Sequence, residues 1–188
     1  MATYYVRATG NDANSGLSAV LAKLTIQAAV NAATSAADIV HVGAGTYRET
    51  VTLAASGSSG SPIQIIGDYS GAQTGDAGVV RITGSNNDQT ATRASCIVTG
   101  ARNYVAVSGF QLDGCTSYAI NGTSAGSDIS FSQMVFTACG TSGSAYTVMV
   151  EGVNQARWSF DRCVWWAAEL GGAALWFTHS VLINDAAH

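Results

Sequence analysis

An acid and an imidazole carry the most recognisable chemistry in this 188-residue chain. Asp161 and His179 occupy matching positions in two similar segments, Trp158-Ser-Phe160-Asp161 and Trp176-Phe177-Thr178-His179. Stacked on one face, a carboxylate could orient an imidazole as a base, or the pair could hold a sugar hydroxyl. The plainer account is an acid and a histidine that both face solvent. Arg157 and Arg162 flank Asp161, and a surface Arg–Asp pair would engage its carboxylate. The other acids of this half, Asp113, Asp128, Glu151, Glu169 and Asp185, are scattered and form no column that could collect calcium. The reading therefore leans away from an enzyme.

A second donor set lies near the start. Asp12 and Asn14, in Thr9-Gly-Asn-Asp-Ala-Asn-Ser-Gly16, could offer oxygens to calcium. Asx side chains that hydrogen-bond their own turn explain the run equally well, and no other cofactor is implied. Of the four cysteines, Cys115 and Cys139 share a slot in successive repeats, Cys163 aligns with Phe110 and Met134, and Cys96 precedes the repeats. Buried free thiols stacked in a ladder are the expectation. A Cys115–Cys139 bridge is the sharper alternative, although in-register parallel neighbours rarely offer disulfide geometry. The spacings do not suggest zinc.

What positions these groups is a repeat. Val105-Ala-Val107-Ser-Gly-Phe110-Gln-Leu112-Asp-Gly-Cys115 returns as Ile129-Ser-Phe131-Ser-Gln-Met134-Val-Phe136-Thr-Ala-Cys139. It returns again from Trp158 to Ala168 and from Trp176 to Ala186, at offsets of 24, 29 and 18 residues. Each copy is a short alternation, a bend and a second alternation, and period-2 alternation means strand. Repeats of this length imply stacked coils, here a parallel β-helix of roughly six or seven turns. Aligning the copies gives outward columns: Ser108, Ser132, Asp161, His179; then Gln111, Val135, Val164, Leu182; then Asp113, Thr137, Trp166, Asn184. Val135, Val164 and Leu182 would make an exposed apolar stripe, with Trp166 and Phe177 beside it, and such a stripe marks an interface. Its partner would be another copy or a neighbouring protein; alternatively, the aromatics stack on sugar rings. A register slip of one residue would turn the stripe inward.

One domain covers residues 1–188, with an N-terminal strand, loop and capping helix over 1–36 and coils over 37–188. Tyr4–Val6 reads as a strand. Thr25 is a plausible N-cap for a helix in which Ile26, Ala29, Val30 and Ala33 share a face. That helix, near 25–34, should cover the first rung. Strands follow at 38–42, 47–53, 62–66 and 79–83, and Ser85 to Arg93 is a polar excursion.

Only 11% of residues are charged, against about 25% in ordinary domains, and there is a single proline. With a net charge of −4 and one lysine, nucleic acid is an unsuitable partner. No signal peptide and no apolar run of membrane-spanning length is seen. The last copy ends at Ala186 without a covering segment, which is expected to favour assembly or a longer native chain.

Tyr4-Tyr-Val6, Thr9–Gly16, Thr25-Ile-Gln-Ala-Ala-Val30 and Gly45-Thr-Tyr47-Arg-Glu49 together resemble the N-terminal signature of the pectate-lyase-like right-handed parallel β-helix superfamily. Pro62-Ile-Gln-Ile-Ile-Gly67 and Gly75-Asp-Ala-Gly-Val-Val-Arg-Ile82 resemble β-helix proteins of tailed bacteriophages. The likeness covers roughly the first 85 residues and departs at Ala44, where relatives commonly carry proline. It implies a structural component of a phage virion: a tail spike or fibre element, or a capsid-decorating protein. Such a component would be homo-oligomeric, as a trimer, beside other virion proteins, with a bacterial surface polysaccharide as a candidate ligand. The alternatives are a polysaccharide lyase or glycoside hydrolase of the superfamily, and a non-catalytic glycan-binding module using Trp166.

Overall fold

A computed structural model describes residues 1–122, 126–137, 139, 148–150, 157–166, 174–176 and 181–183; for 148–150, 165, 166, 174–176 and 181–183 only the backbone is described. Among the described residues the chain is mostly β, with three sheets and one helix. The first sheet stacks β1 (Thr3–Val6), β2 (Ile39–Val42), β5 (Ile63–Gly67), β8 (Val105–Ser108), β11 (Ile129–Ser132), β14 (Trp158–Asp161) and β17 (Val181–Ile183) in that order. The second stacks β3 (Gly45–Tyr47), β6 (Val80–Thr83), β9 (Gln111–Asp113), β12 (Val135–Thr137), β15 (Val164–Trp166) and β16 (Ala174–Trp176). The third stacks β4 (Val51–Thr52), β7 (Ser95–Val98), β10 (Tyr118–Gly122) and β13 (Val148–Val150). From β1 through β15 every ladder pairing is parallel, the arrangement of a parallel β-helix-like fold.

Parallel register converts the sequence alternation into inward ladders. Tyr4, Val40, Ile65, Val107, Phe131 and Phe160 follow one another up the first sheet. At the top of that ladder Phe131 and Phe160 stack at 5.2 Å, and Trp158 tilts against Phe131 at 5.9 Å. The Trp158 indole Nε1 donates to Gly126 O at 3.0 Å, so the buried ring leaves no polar atom unpaired. Between the first and second sheets the chain turns through a left-handed residue at each repeat: Gly109 (φ 78°), Gln133 (φ 54°) and Arg162 (φ 50°). At Gly109 this corner tolerates no side chain, because a Cβ would lie 2.7 Å from Gly67 O.

Helix α1 (Ile26–Ala32) forms where the periodicity predicts it, with Ile26, Ala29 and Val30 buried against the first strands. Its orphan N–H groups are all met by side chains. Thr25 Oγ1 accepts from Ala28, and the Glu49 carboxylate accepts from Ile26 and Gln27, both at 2.9 Å.

The fourth repeat does not continue the stack. β17 pairs with β14 antiparallel, Ser159 opposite Leu182, and β16 pairs with β15 antiparallel, Val164 opposite Trp176. The reason is connection length. Only residues 167–173 separate β15 from β16, which suffices for a hairpin-like return but not for the long crossover that parallel neighbours need.

Candidate functional site

The outer face of the second sheet carries a column of register-matched side chains. Thr46 stands opposite Arg81, Arg81 opposite Gln111, Gln111 opposite Val135, and Val135 opposite Val164. Beside it Thr83 is matched with Asp113, and Thr137 with Trp166. Residues 84–93 leave the end of β6 and fold back on themselves: Ser85 bridges Ala91, and the N–H groups of Thr92 and Arg93 return to Gly84 O. Arg48 pins this excursion from the rung below by donating Nη1 to Ser85 O (3.1 Å) and Asn86 O (2.9 Å). The polar stretch is thus the wall of an open groove of about 420 Å³, floored by Arg81, Asp113 and Thr137 and flanked by Arg48, Asn87 and Gln89.

The electrostatic centre of the groove is one ion pair. Arg81 donates Nε to Asp113 Oδ2 at 2.6 Å and Nη2 to Oδ1 at 3.0 Å, the bidentate fork that fixes a guanidinium in plane. The Asp113 side chain is only 6% exposed whereas that of Arg81 is 39% exposed, so the carboxylate anchors and the guanidinium faces the solvent. Gln111 Nε2 adds a third donor to Asp113 Oδ2 at 3.3 Å. Two of the five guanidinium N–H groups are engaged in the fork, which leaves further donors for a ligand. Asp113 is the sole carboxylate among the described lining residues. The remaining guanidinium N–H groups and the amides of Asn87 and Gln89 suit an anionic or hydroxyl-rich ligand.

Of the residues singled out by sequence, Val135 and Val164 continue this outer column, and the others fall elsewhere or outside the described residues. Asp161 does continue the Ser108–Ser132 column, but its carboxylate pairs with Arg162 Nε at 2.9 Å. Arg157 turns instead to Asp128, Nε to Oδ1 at 2.6 Å. His179 lies outside the described residues, and the parallel stacking expected to bring it over Asp161 is replaced by the antiparallel return of β17. Leu182 stands opposite Ser159 in the first sheet, so the expected stripe Val135–Val164–Leu182 ends at Val164. Val135 is 37% exposed and Val164 half-buried beside it. The backbone of Trp166 is next to Thr137, and Phe177 lies outside the described residues.

Asp12 accepts from the Leu24 and Thr25 N–H groups (2.8 and 2.9 Å) and from Thr25 Oγ1 (2.8 Å). Burial pushes this carboxyl up, but the hydrogen bonds outweigh it and hold it below the ordinary range. Asn14 donates Nδ2 to Ala22 O at 3.1 Å. Asp12 thus ties the loop to the residues entering α1 and Asn14 ties it to Ala22, long-range bonds and not the local Asx turns expected of these residue types.

No protein-family model matches this chain, and no curated protein matches it. Solved structures do. The pectate lyase Pel9A superposes with a TM-score of 0.63 over 87% of this chain at 20% sequence identity. GH136 lacto-N-biosidase from Eubacterium ramulus superposes with a TM-score of 0.60 over 86% at 14% identity. The chain spans only 39% and 33% of the lengths of those two proteins. This chain has a pectate-lyase-like fold. At such identities the likeness speaks for the fold alone.

Sequence reasoning missed the groove. Arg81 sits at an outward position of Val80-Arg-Ile-Thr83, and Asp113 at the end of a recognised repeat, so each half of the ion pair is visible. Their meeting is not, because the sequence repeat becomes clear only from Val105 onward. The rung one step below Gln111–Asp113 is Val80–Thr83, and recognising it would have matched Arg81 with Gln111.

Proposed function

We propose that this chain is the stacked-strand portion of a polysaccharide-acting protein, of the lyase type in preference to the hydrolase type, which holds an acidic polysaccharide along the groove. In the finer architecture of this reading, the three sheets wind as a right-handed solenoid whose first rung is covered by α1. The observation that carries the proposal is the half-exposed Arg81, locked by the buried Asp113 and standing in an open polar groove. A guanidinium so fixed matches a uronate carboxylate bidentately, and neutralising that carboxylate is what eases removal of the adjacent proton in a β-elimination. The neighbouring amides Asn87 and Gln89 suit sugar hydroxyls. The test is retention in gels containing polygalacturonate, alginate or neutral glucan, with unsaturated product followed by ultraviolet absorbance. Retention on the acidic polymers alone, weakened at least tenfold by Arg81→Ala, is expected. Equal migration in all gels would overturn the reading.

A second reading, a homo-oligomeric component of a phage virion, draws on the adjacent outward pair Val135 and Val164 and on the resemblance of the N-terminal segments. In that reading the chain is a trimer, its neighbours are other virion proteins, and a bacterial surface polysaccharide is its ligand. Light scattering discriminates: a trimer dispersed by Val135→Asp favours the particle, and a monomer removes it.

A further inference from the structure

Three of the four cysteines converge on one point inside the stack. Cys96 lies in β7 of the third sheet, Cys115 just past β9 and Cys139 just past β12, yet their Sγ atoms all lie within 4.8 Å of one another. Among the described residues this is the only group of three side chains of metal-ligand type that meets in this way. A plain ladder of small side chains explains Cys115 and Cys139, which fill the same slot in successive rungs. It does not explain Cys96, which arrives from a different sheet and aims its sulfur at the same place. The backbone also organises the group: Asp113 O accepts from Cys96 Sγ at 3.2 Å and from Cys115 Sγ at 3.6 Å. Cys163 stands apart, with its sulfur directed at Phe131 O and Asp161 O.

We infer that Cys96, Cys115 and Cys139 form a three-sulfur site for a soft, thiophilic cation of the d10 class that includes Zn(II), Cd(II) and Cu(I). The donor set contains sulfur alone, which selects soft ions over calcium or magnesium. With metal–sulfur bonds of about 2.3 Å, a trigonal centre places its sulfurs roughly 4.0 Å apart. The observed cluster therefore closes onto an ion by movements of less than about 1 Å, within the reach of side-chain rotation alone. Cys96 and Cys115 are fully buried, whereas Cys139 is half-buried and marks the side from which an ion and any outer ligand enter. Thiolate is the form that ligates, so binding displaces thiol protons and affinity rises with pH.

The experiment uses the full chain, reduced and kept free of oxygen, titrated with Cd(II) while thiolate-to-metal charge-transfer absorption is recorded. Saturation at one ion per chain is expected, with displacement by Cu(I) and a steeper titration at higher pH. Cys96→Ser, Cys115→Ser and Cys139→Ser should each weaken binding by more than the ~10–100-fold lost when only an outer-shell partner of a metal ligand is removed. Cys163→Ser should leave the titration unchanged. Because a substituted core can fail to fold, the wild-type chain is also alkylated with and without Cd(II), and the labelled peptides are mapped. Protection of Cys96, Cys115 and Cys139, but not Cys163, supports the site. A folded wild-type chain that shows no saturable band, or equal protection of all four thiols, overturns it.

Discussion

On the outer side of β9 the Asp113 carboxylate grips a guanidinium that faces water, and on the inner side the carbonyl of the same residue accepts from two buried thiols. The two sides use different parts of Asp113 and obey different physics. Outside, position depends on directional hydrogen bonds between charged groups, with Asp113 buried and Arg81 partly in water. Inside, position depends on packing: Val107, Phe131 and Phe160 fill one ladder, and removal of any one leaves a void. The difference implies that stability resides in the inner wall and, on the proposed function, recognition in the outer face. The two should therefore be separable by substitution.

The largest effect is expected from the inner wall. Phe131 is fully buried between the Phe160 and Trp158 rings, so Phe131→Ala should destabilise by about 3–5 kcal/mol, read as a lower urea midpoint. At low temperature, where the variant still folds, polysaccharide retention should persist, and its loss would show that the groove depends on the ladder. Asp113→Ala comes next. It strips Arg81 of its buried anchor and should cost about 2 kcal/mol, in the range for hydrogen bonds to charged groups. The Asp113 carbonyl is retained in that variant, so Cd(II) binding at the thiols should survive; joint loss of both would end the claim that the sides are independent. Arg81→Ala should cost a comparable amount, about 1–3 kcal/mol, because it leaves the buried Asp113 carboxylate with Gln111 Nε2 alone. Loss of ligand retention is its second effect.

The same division explains what could be read from the chain before its structure. Inner ladders were legible because alternation is a direct consequence of the pleat, and so was α1, whose cap and buried face both lie within a short stretch. Alternation has no direction, however. Trp176 to Ile183 has the strand pattern of the earlier repeats but returns antiparallel, and nothing in a period of two distinguishes the cases. The third sheet escaped for a different reason: Ser95-Cys-Ile97 and Ala119-Ile120 are buried at successive positions, so no alternation announces them. The corner at Gly109 carries a glycine, but Gln133 and Arg162 adopt the same left-handed turn with side chains that do not advertise it. The thiol cluster combines both difficulties, since it joins a visible repeat position to the unannounced Cys96.

The smallest expected effect concerns acid, and it contrasts well-hydrogen-bonded aspartates with a glutamate that packs against the helix. The Arg7 guanidinium hydrogen-bonds Asp76 and holds its carboxyl below the usual range. Burial pushes Asp68 up, but donors from Ser70, Gln73 and Thr74 outweigh it, so this carboxyl too is held low. Groups with depressed values stabilise the fold above their unfolded value, about 3.9 for Asp, and lose that contribution as pH falls through the folded value. Glu49 has the opposite sign. Burial raises it, and the N–H groups of Gln27 and Ile26 offset this only in part. Its contribution is full below the unfolded value, about 4.3 for Glu, and is lost as pH rises through the folded one. Glu49 therefore softens the acid loss that the aspartates cause. Urea midpoints compared between about pH 7 and about pH 3 should fall more steeply in Glu49→Gln than in the wild type, and less steeply in Asp76→Asn. Equal slopes in all three chains would mean that the acid response is set elsewhere, and that the contrast between the aspartates and Glu49 does not extend to protonation.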